Sequence, residues 1–92
     1  MSPEDELQLR RKRLRFRSWH RGTREMDLML GRFADAMLAR LDTEQLDRYA
    51  ALLKNSDPDL YEWLTGRSAV PPAHDHDVMK LLQNFSLPER ND

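Results

Sequence analysis

The chain has 92 residues, of which 39% are apolar and 34% charged, and it contains no cysteine. A chain this short buries only about 60–70% of its unfolded surface, which supports one thin core and leaves little room for an enclosed substrate cavity. The missing cysteines exclude a disulfide framework, a thiolate metal site and a cysteine nucleophile together.

No apolar run approaches the roughly 18 residues that a membrane span needs, so no membrane insertion is expected. The chain opens Met1-Ser2-Pro3-Glu4-Asp5-Glu6. Acids with no apolar stretch behind them do not make a secretory signal, and a mitochondrial presequence is acid-poor. The expected compartment is therefore the cytoplasm rather than the mitochondrial matrix. The net charge of −1 hides an asymmetry: residues 1–24 hold eight Lys/Arg and three Asp/Glu, whereas residues 25–92 hold seven and thirteen. A cationic end on an acidic body steers partners of opposite charge.

Helical spacing recurs along the chain, and nothing alternates with the period of a strand. Pro3 to Trp19 predicts a helix from its Arg, Leu and Lys content, although its apolar residues do not collect on one face. Gly22 breaks the chain. Met26, Met29, Leu30, Phe33, Met37 and Leu41 then predict the longest stripe, over about residues 23–41, slightly weakened by Gly31. Asp42, with Gln45 three residues on, reads as a capping box ahead of Leu46, Tyr49, Ala50 and Leu53. Asp57 reads as an N-cap with Pro58 at the first helical position, and Leu60, Trp63 and Leu64 face inward before Gly66 stops the helix. Pro71-Pro72 falls in a surface loop. A last helix starts near Asp75 with Val78, Leu81, Leu82 and Phe85 as its stripe. The expected fold is all-α, a compact bundle of four to five short helices. It forms one domain over residues 1–92, with a core of about 8–87 and a frayed tail at 88–92.

The sharpest local feature is Arg21-Gly22-Thr23-Arg24-Glu25, where the cationic segment meets the longest helix. Local physics explains it as a helix start, with Gly22 as the cap and Glu25 at the third helical position. It also fits a docking surface. Gly22 lets another backbone approach closely, and Arg21 and Arg24 flank it with forked donors for carboxylates and carbonyls. The run Arg10-Arg11-Lys12-Arg13-Leu14-Arg15-Phe16-Arg17 has the charge density of a phosphate-binding face, with Phe16 or Trp19 to stack on a base. The mildly acidic whole favours a solvated face or the rim for an acidic protein partner instead. His74-Asp75-His76-Asp77 lacks the i, i+4 spacing of helical metal ligands and reads as a charged helix start, so no metal is expected. Ser18, His20 and Glu25 are close in sequence, but a bundle this small offers no dry pocket for a nucleophile–base pair. No enzyme is expected.

Arg-Gly-x-x-Glu at 21–25 is followed by Met26-Asp27-Leu28-Met29-Leu30-Gly31-Arg32-Phe33. Some thirty residues later comes Asp57-Pro58-Asp59-Leu60-Tyr61-Glu62-Trp63-Leu64-Thr65-Gly66, with Leu46, Tyr49, Leu52 and Leu53 between. This pattern resembles the succinate dehydrogenase assembly factor, or flavinator, family over roughly residues 8–87. The resemblance implies a five-helix bundle that binds the flavoprotein subunit of succinate dehydrogenase, and of fumarate reductase where it occurs. It implies promotion of covalent FAD attachment to a histidine of that partner. Arg21, Gly22 and Glu25 carry over as the contact surface, with Thr23 and Arg24 as variable members of the motif. No FAD is expected to be held tightly, no nucleic acid is expected as partner, and the free protein is expected to be a monomer in a bacterial cytoplasm. Two other classes fit the composition: a nucleic-acid-binding helical domain using Arg10 to Arg17, and a toxin–antitoxin or membrane-associated regulator.

Overall fold

The computed structural model describes residues 2–86. The tail read from the sequence at 88–92 lies outside the described residues. Five α-helices follow in order: α1 (Pro3–Trp19), α2 (Arg24–Met37), α3 (Thr43–Leu52), α4 (Asp57–Leu64) and α5 (Asp77–Ser86). Short 3-10 turns at Leu38–Arg40 and Pro72–His74 separate α2 from α3 and precede α5. The all-α bundle expected from the periodicity is the fold observed, with no strand among the described residues.

Each helix starts where a side chain can satisfy its orphan N–H groups. Ser2 accepts from Asp5 N, with Pro3 at the first position of α1. Asp42 and Gln45 form the expected capping box of α3. Two caps lie one residue from their expected places. Thr23, not Gly22, caps α2 and accepts from Met26 N, which leaves Glu25 at the second helical position. Ser56, not Asp57, caps α4. In both cases a hydroxyl one residue away adopts the extended cap backbone and reaches the third helical N–H. The second helix is also shorter than its apolar stripe. Its last turn tightens to 3-10 geometry after Met37, and Arg11 accounts for the break. The Arg11 guanidinium donates to Leu38 O and Leu41 O, both at 2.8 Å, which satisfies carbonyls that a continuing helix would have used.

Leu30, Phe33, Leu38, Leu46, Tyr49, Leu52, Leu60, Val78, Met79 and Leu82 form the centre of the core. The expected stripes supply most of it. Phe85 departs from its expected place: it is 42% exposed, with its ring edge against Phe33, and Met79 is buried instead. The first helix has no apolar stripe because it rests on the core through few residues, chiefly Leu14 and the wholly buried Ser18. Ser18 Oγ donates to Leu14 O at 2.7 Å and accepts from Tyr49 Oη at 2.6 Å, which joins α1 to α3 through a dry hydrogen bond. Burial pushes the Tyr49 phenol up to about 12, so it stays a neutral donor.

Gly31 carries more of the α1–α2 packing than its place in the stripe predicts. A Cβ at Gly31 would fall inside the indole of Trp19, which lies flat on α2 at this residue. Glycine is the only residue that allows that approach.

The start of α5 is pinned to α3. Asp77 accepts from Gln45 Nε2 at 3.0 Å and from Arg48 Nη1 at 3.1 Å. The Gln45 hydrogen bond, foremost, holds the Asp77 carboxyl below its ordinary value. His76 Nδ1 accepts from Met79 N at 3.1 Å, so its proton sits on Nε2 and the ring acts as a neutral cap. Burial lowers the His76 pKa against the opposing pull of Asp77.

Two measurements test these contacts. Alanine in place of a helical glycine ordinarily stabilises by about 1 kcal/mol. Gly31→Ala is expected to destabilise instead, because overpacking a filled contact costs about 1–3 kcal/mol. A raised melting temperature would show that Trp19 moves aside without cost. A lowered histidine pKa means that the unfolded chain binds protons first as pH falls. Stability is thus expected to be full above about pH 6.5 and to decline as the pH drops towards the lower folded value. His76→Asn, whose amide oxygen accepts the same bond at every pH, should flatten the decline in melting temperature between about pH 7 and pH 5.5.

Candidate functional site

The segment between α1 and α2 is short and tightly held. Arg21 N donates to Asp27 Oδ1 at 2.6 Å, and Thr23 O accepts from Asp27 N at 2.9 Å, so the first turn of α2 folds back on the linker. Gly22 between them has φ +124°, a conformation that side-chain-bearing residues rarely adopt. Beyond Gly22 and its two chain neighbours, no heavy atom lies within 4 Å of where its Cβ would be. The notch expected at Gly22 is therefore open and not covered by another helix of the bundle. Thr23, Arg24 and Glu25 follow it, all exposed.

Arg21 differs from its expected role. Its guanidinium does not face outward beside Gly22, because every nitrogen is engaged within the molecule. Nη1 donates to Leu53 O at 2.6 Å, Nη2 to Asn55 O at 2.7 Å, and Nε to Asp57 Oδ1 at 2.9 Å. The last turn of α3 has no basic residue of its own. Arg21 supplies that charge from the linker, where the carbonyl ends of a helix attract a cation. With side-chain exposures of 12% and 18%, Arg21 and Asp57 form a largely desolvated pair. Of the two arginines expected to flank the notch, Arg24 alone stands in solvent.

The clamp brings α4 beside the motif. Thr23, Glu25 and Met26 on one side, with Asp57, Pro58 and Tyr61 on the other, line an open, mainly apolar groove of about 300 Å³. The Arg67 guanidinium carbon lies over the Tyr61 ring, 5.5 Å from its centroid. The α4 share of this surface was not singled out from sequence as part of the site. Its residues lie some thirty positions from the motif, and Asp57-Pro58 reads locally as a helix start. The available signal was the pairing of Arg-Gly-x-x-Glu with the Asp-Pro-Asp-Leu segment in one pattern.

The other candidate sets do not come together. Ser18 is sealed in the core with its hydroxyl bonded to Leu14 O and Tyr49, while His20 and Glu25 are exposed. His74 lies against Trp63 with ring centroids 5.6 Å apart and planes tilted by 36°, and His76 caps α5. No group of three or more His, Asp or Glu side chains that could hold a metal ion occurs among the described residues. No helix among them is long and apolar enough to cross a membrane. Within the basic run, Arg10 pairs with Asp47 at 2.6 Å and Arg11 caps the 3-10 turn after α2.

Fold and site together define a small helical protein with an open surface, part charged and part apolar, at the head of its second helix. The family described as the flavinator of succinate dehydrogenase matches residues 12–86, and the chain belongs to that family. A relative named succinate dehydrogenase assembly factor 2, mitochondrial, from Dictyostelium discoideum is 38% identical over 86% of this chain and 56% of its own length. One named succinate dehydrogenase assembly factor 2-A, mitochondrial, from Drosophila mojavensis is 39% identical over 88% and 53%. One named FAD assembly factor SdhE from Acetobacter pasteurianus is 43% identical over 74% and 62%. The chain thus spans little more than half the length of the curated relatives it matches.

These relatives overturn the expected cytoplasmic, bacterial location, since relatives at 36–39% identity carry mitochondrial names. A bacterial relative matches as well. The helical domain occurs under both kinds of name, so its acid-rich beginning is not evidence against a mitochondrial one.

The clamp has a measurable consequence. Arg21→Lys replaces a three-point fork with a single point charge and leaves part-buried carbonyls unpaired. It is expected to cost about 2–4 kcal/mol of stability. Arg24→Ala, on an exposed helix start, is expected to change stability by less than about 0.5 kcal/mol. Equal melting temperatures for the two variants would show that the Arg21 contacts do not stabilise the fold.

Proposed function

We propose that this protein is an assembly factor, not an enzyme, that binds the flavoprotein subunit of succinate dehydrogenase and promotes covalent attachment of FAD to it. Family membership and the mitochondrial and bacterial relatives' names support the partner and the cofactor. One observation carries the placement of the contact: Gly22 is open at the head of α2, beside exposed Thr23, Arg24 and Glu25 and the groove of Met26, Pro58 and Tyr61. In this reading Gly22 and Glu25 meet the partner's backbone and polar groups, with Thr23 and Arg24 at the margin. Arg21 sets their position from behind.

The chain supplies neither acid nor base to the reaction. Its contribution is geometric. Holding a flavin carbon against a partner imidazole removes orientational freedom, which is worth roughly 7–11 kcal/mol of a barrier in the best cases. A factor that locks the partner's domains in that arrangement accelerates the attachment while FAD stays in the partner. We further propose that residues 1–92 act as one helical unit, monomeric when free and one-to-one in the complex. The flavoprotein of fumarate reductase is a second client where it occurs.

The test must separate bulk from backbone strain, because any side chain at Gly22 is strained at φ +124° by about 1–3 kcal/mol. Gly22→Ala adds the strain with one carbon, and Gly22→Arg adds the same strain with a long side chain across the notch. In cells lacking their own factor, the wild-type chain and Gly22→Ala are expected to restore covalent flavin in the subunit, read by in-gel fluorescence. Gly22→Arg should lose it with an unchanged circular dichroism spectrum. Full flavinylation by Gly22→Arg would remove the notch from the contact surface.

A further inference from the structure

The fold uses only part of the basic run. Arg10 and Arg11 tie α1 to the rest of the bundle. Lys12 and Arg15 are exposed, and among the described residues neither has an ion-pair partner. They share one face of α1 with Phe16 and Trp19, since positions 12, 15, 16 and 19 follow the i, i+3, i+4, i+7 spacing of a helix face.

The aromatic side chains of this face are held in place, Trp19 half-buried and Phe16 open to solvent. Phe16 is 63% exposed, yet its ring stacks on His20 with centroids 4.0 Å apart and planes 19° apart. His20 Nδ1 donates to Phe16 O at 2.7 Å, which fixes the imidazole under that ring. Trp19 lies against Gly31, and its Nε1 donates to Asp35 Oδ1 at 3.2 Å. Lys12, Arg15, Phe16, Trp19, His20 and Asp35 line an open groove of about 360 Å³. A fixed, exposed aromatic beside unpaired cations has the make-up of an interface anchor with its charged rim.

We propose that this groove is a second docking surface, filled by an acidic segment of the flavoprotein partner that sets an apolar side chain on Phe16 and carboxylates on Lys12 and Arg15. The inference rests on the partner proposed above. Charge complementarity selects the occupant. No acid occurs from Arg10 to Arg24, so the α1 side of the groove offers an incoming carboxylate cations and no acid, and Asp35 of α2 is the one acid among the lining residues. Asp35 argues against a nucleic acid, because a phosphate chain running along the groove brings repeated negative charge past that carboxylate. A peptide can place its acids at the Lys12 end alone. His20 ends this groove and Arg21 begins the linker to Gly22, so one partner can cover both surfaces.

The affinity of the full chain for the purified flavoprotein subunit of succinate dehydrogenase, titrated at low and high salt, tests the assignment. A Lys12→Glu/Arg15→Glu double variant is expected to bind about tenfold more weakly at low salt, with the gap narrowing as salt screens the charges. Phe16→Ala is expected to weaken binding to a similar extent at both salt levels. Neither should change the melting temperature, because the altered groups are exposed. Wild-type affinity and salt dependence in these variants, with binding lost in Gly22→Arg, would overturn this groove and leave the proposed function standing. Failure of the wild-type chain to bind the subunit would overturn both. A fluorescent single-stranded oligonucleotide, titrated in parallel, covers the remaining occupant. Tight binding that the charge reversal abolishes, with subunit affinity unaltered, would assign the face to nucleic acid and overturn the proposal.

Discussion

The three-point grip of Arg21 on Leu53 O, Asn55 O and Asp57 decides more of this structure than any other polar contact. The grip joins the carbonyl end of α3, the amide end of α4 and the linker ahead of α2. The guanidinium meets the partial negative charge of the Leu53 and Asn55 carbonyls and the full charge of the Asp57 carboxylate, largely out of contact with bulk water. With Arg21 anchored, the chain must pass through Gly22 at a positive φ and enter α2 one residue later. The open notch and the groove between Met26 and Tyr61 both follow from that path. Arg21 therefore belongs to the motif as the residue that positions the exposed ones.

The first helix has two different faces. One rests on the core through Leu14, Ser18 and the Ser18–Tyr49 hydrogen bond. The other holds Phe16 in solvent against His20. Buried polar pairs and exposed aromatics both run against simple hydrophobic partition, and both have physical causes. Tyr49 and Ser18 satisfy each other in a dry site. Phe16 keeps its place because it stacks on His20, the residue that caps the end of its helix. Two glycines divide the same work: Gly31 lets Trp19 settle on α2, and Gly22 keeps the surface open towards a partner.

The compartment shows a limit of composition as an argument. A helical core responds to packing, which is the same in any aqueous compartment. The mitochondrial and bacterial names among relatives of similar identity reflect that indifference.

Local chemistry was enough to specify the helices. The Asp42–Gln45 capping box placed the start of α3 to the residue, and Pro3 placed the start of α1. Caps shifted where two neighbouring residues could each serve, as with Thr23 over Gly22, because the choice depends on backbone geometry rather than on composition. The motif at 21–25 was visible as a docking candidate, and a glycine flanked by arginines pointed outward on sequence grounds. What Arg21 binds was not visible, since its three acceptors lie 32 to 36 residues away and two are backbone carbonyls that no side-chain pattern records. The same holds for Arg11 on the turn after α2 and for Trp19 on Gly31. Periodicity reports which face of a helix is buried. Which distant carbonyl an arginine reaches, and which glycine an indole covers, depend on how the helices cross, and only the folded chain sets that.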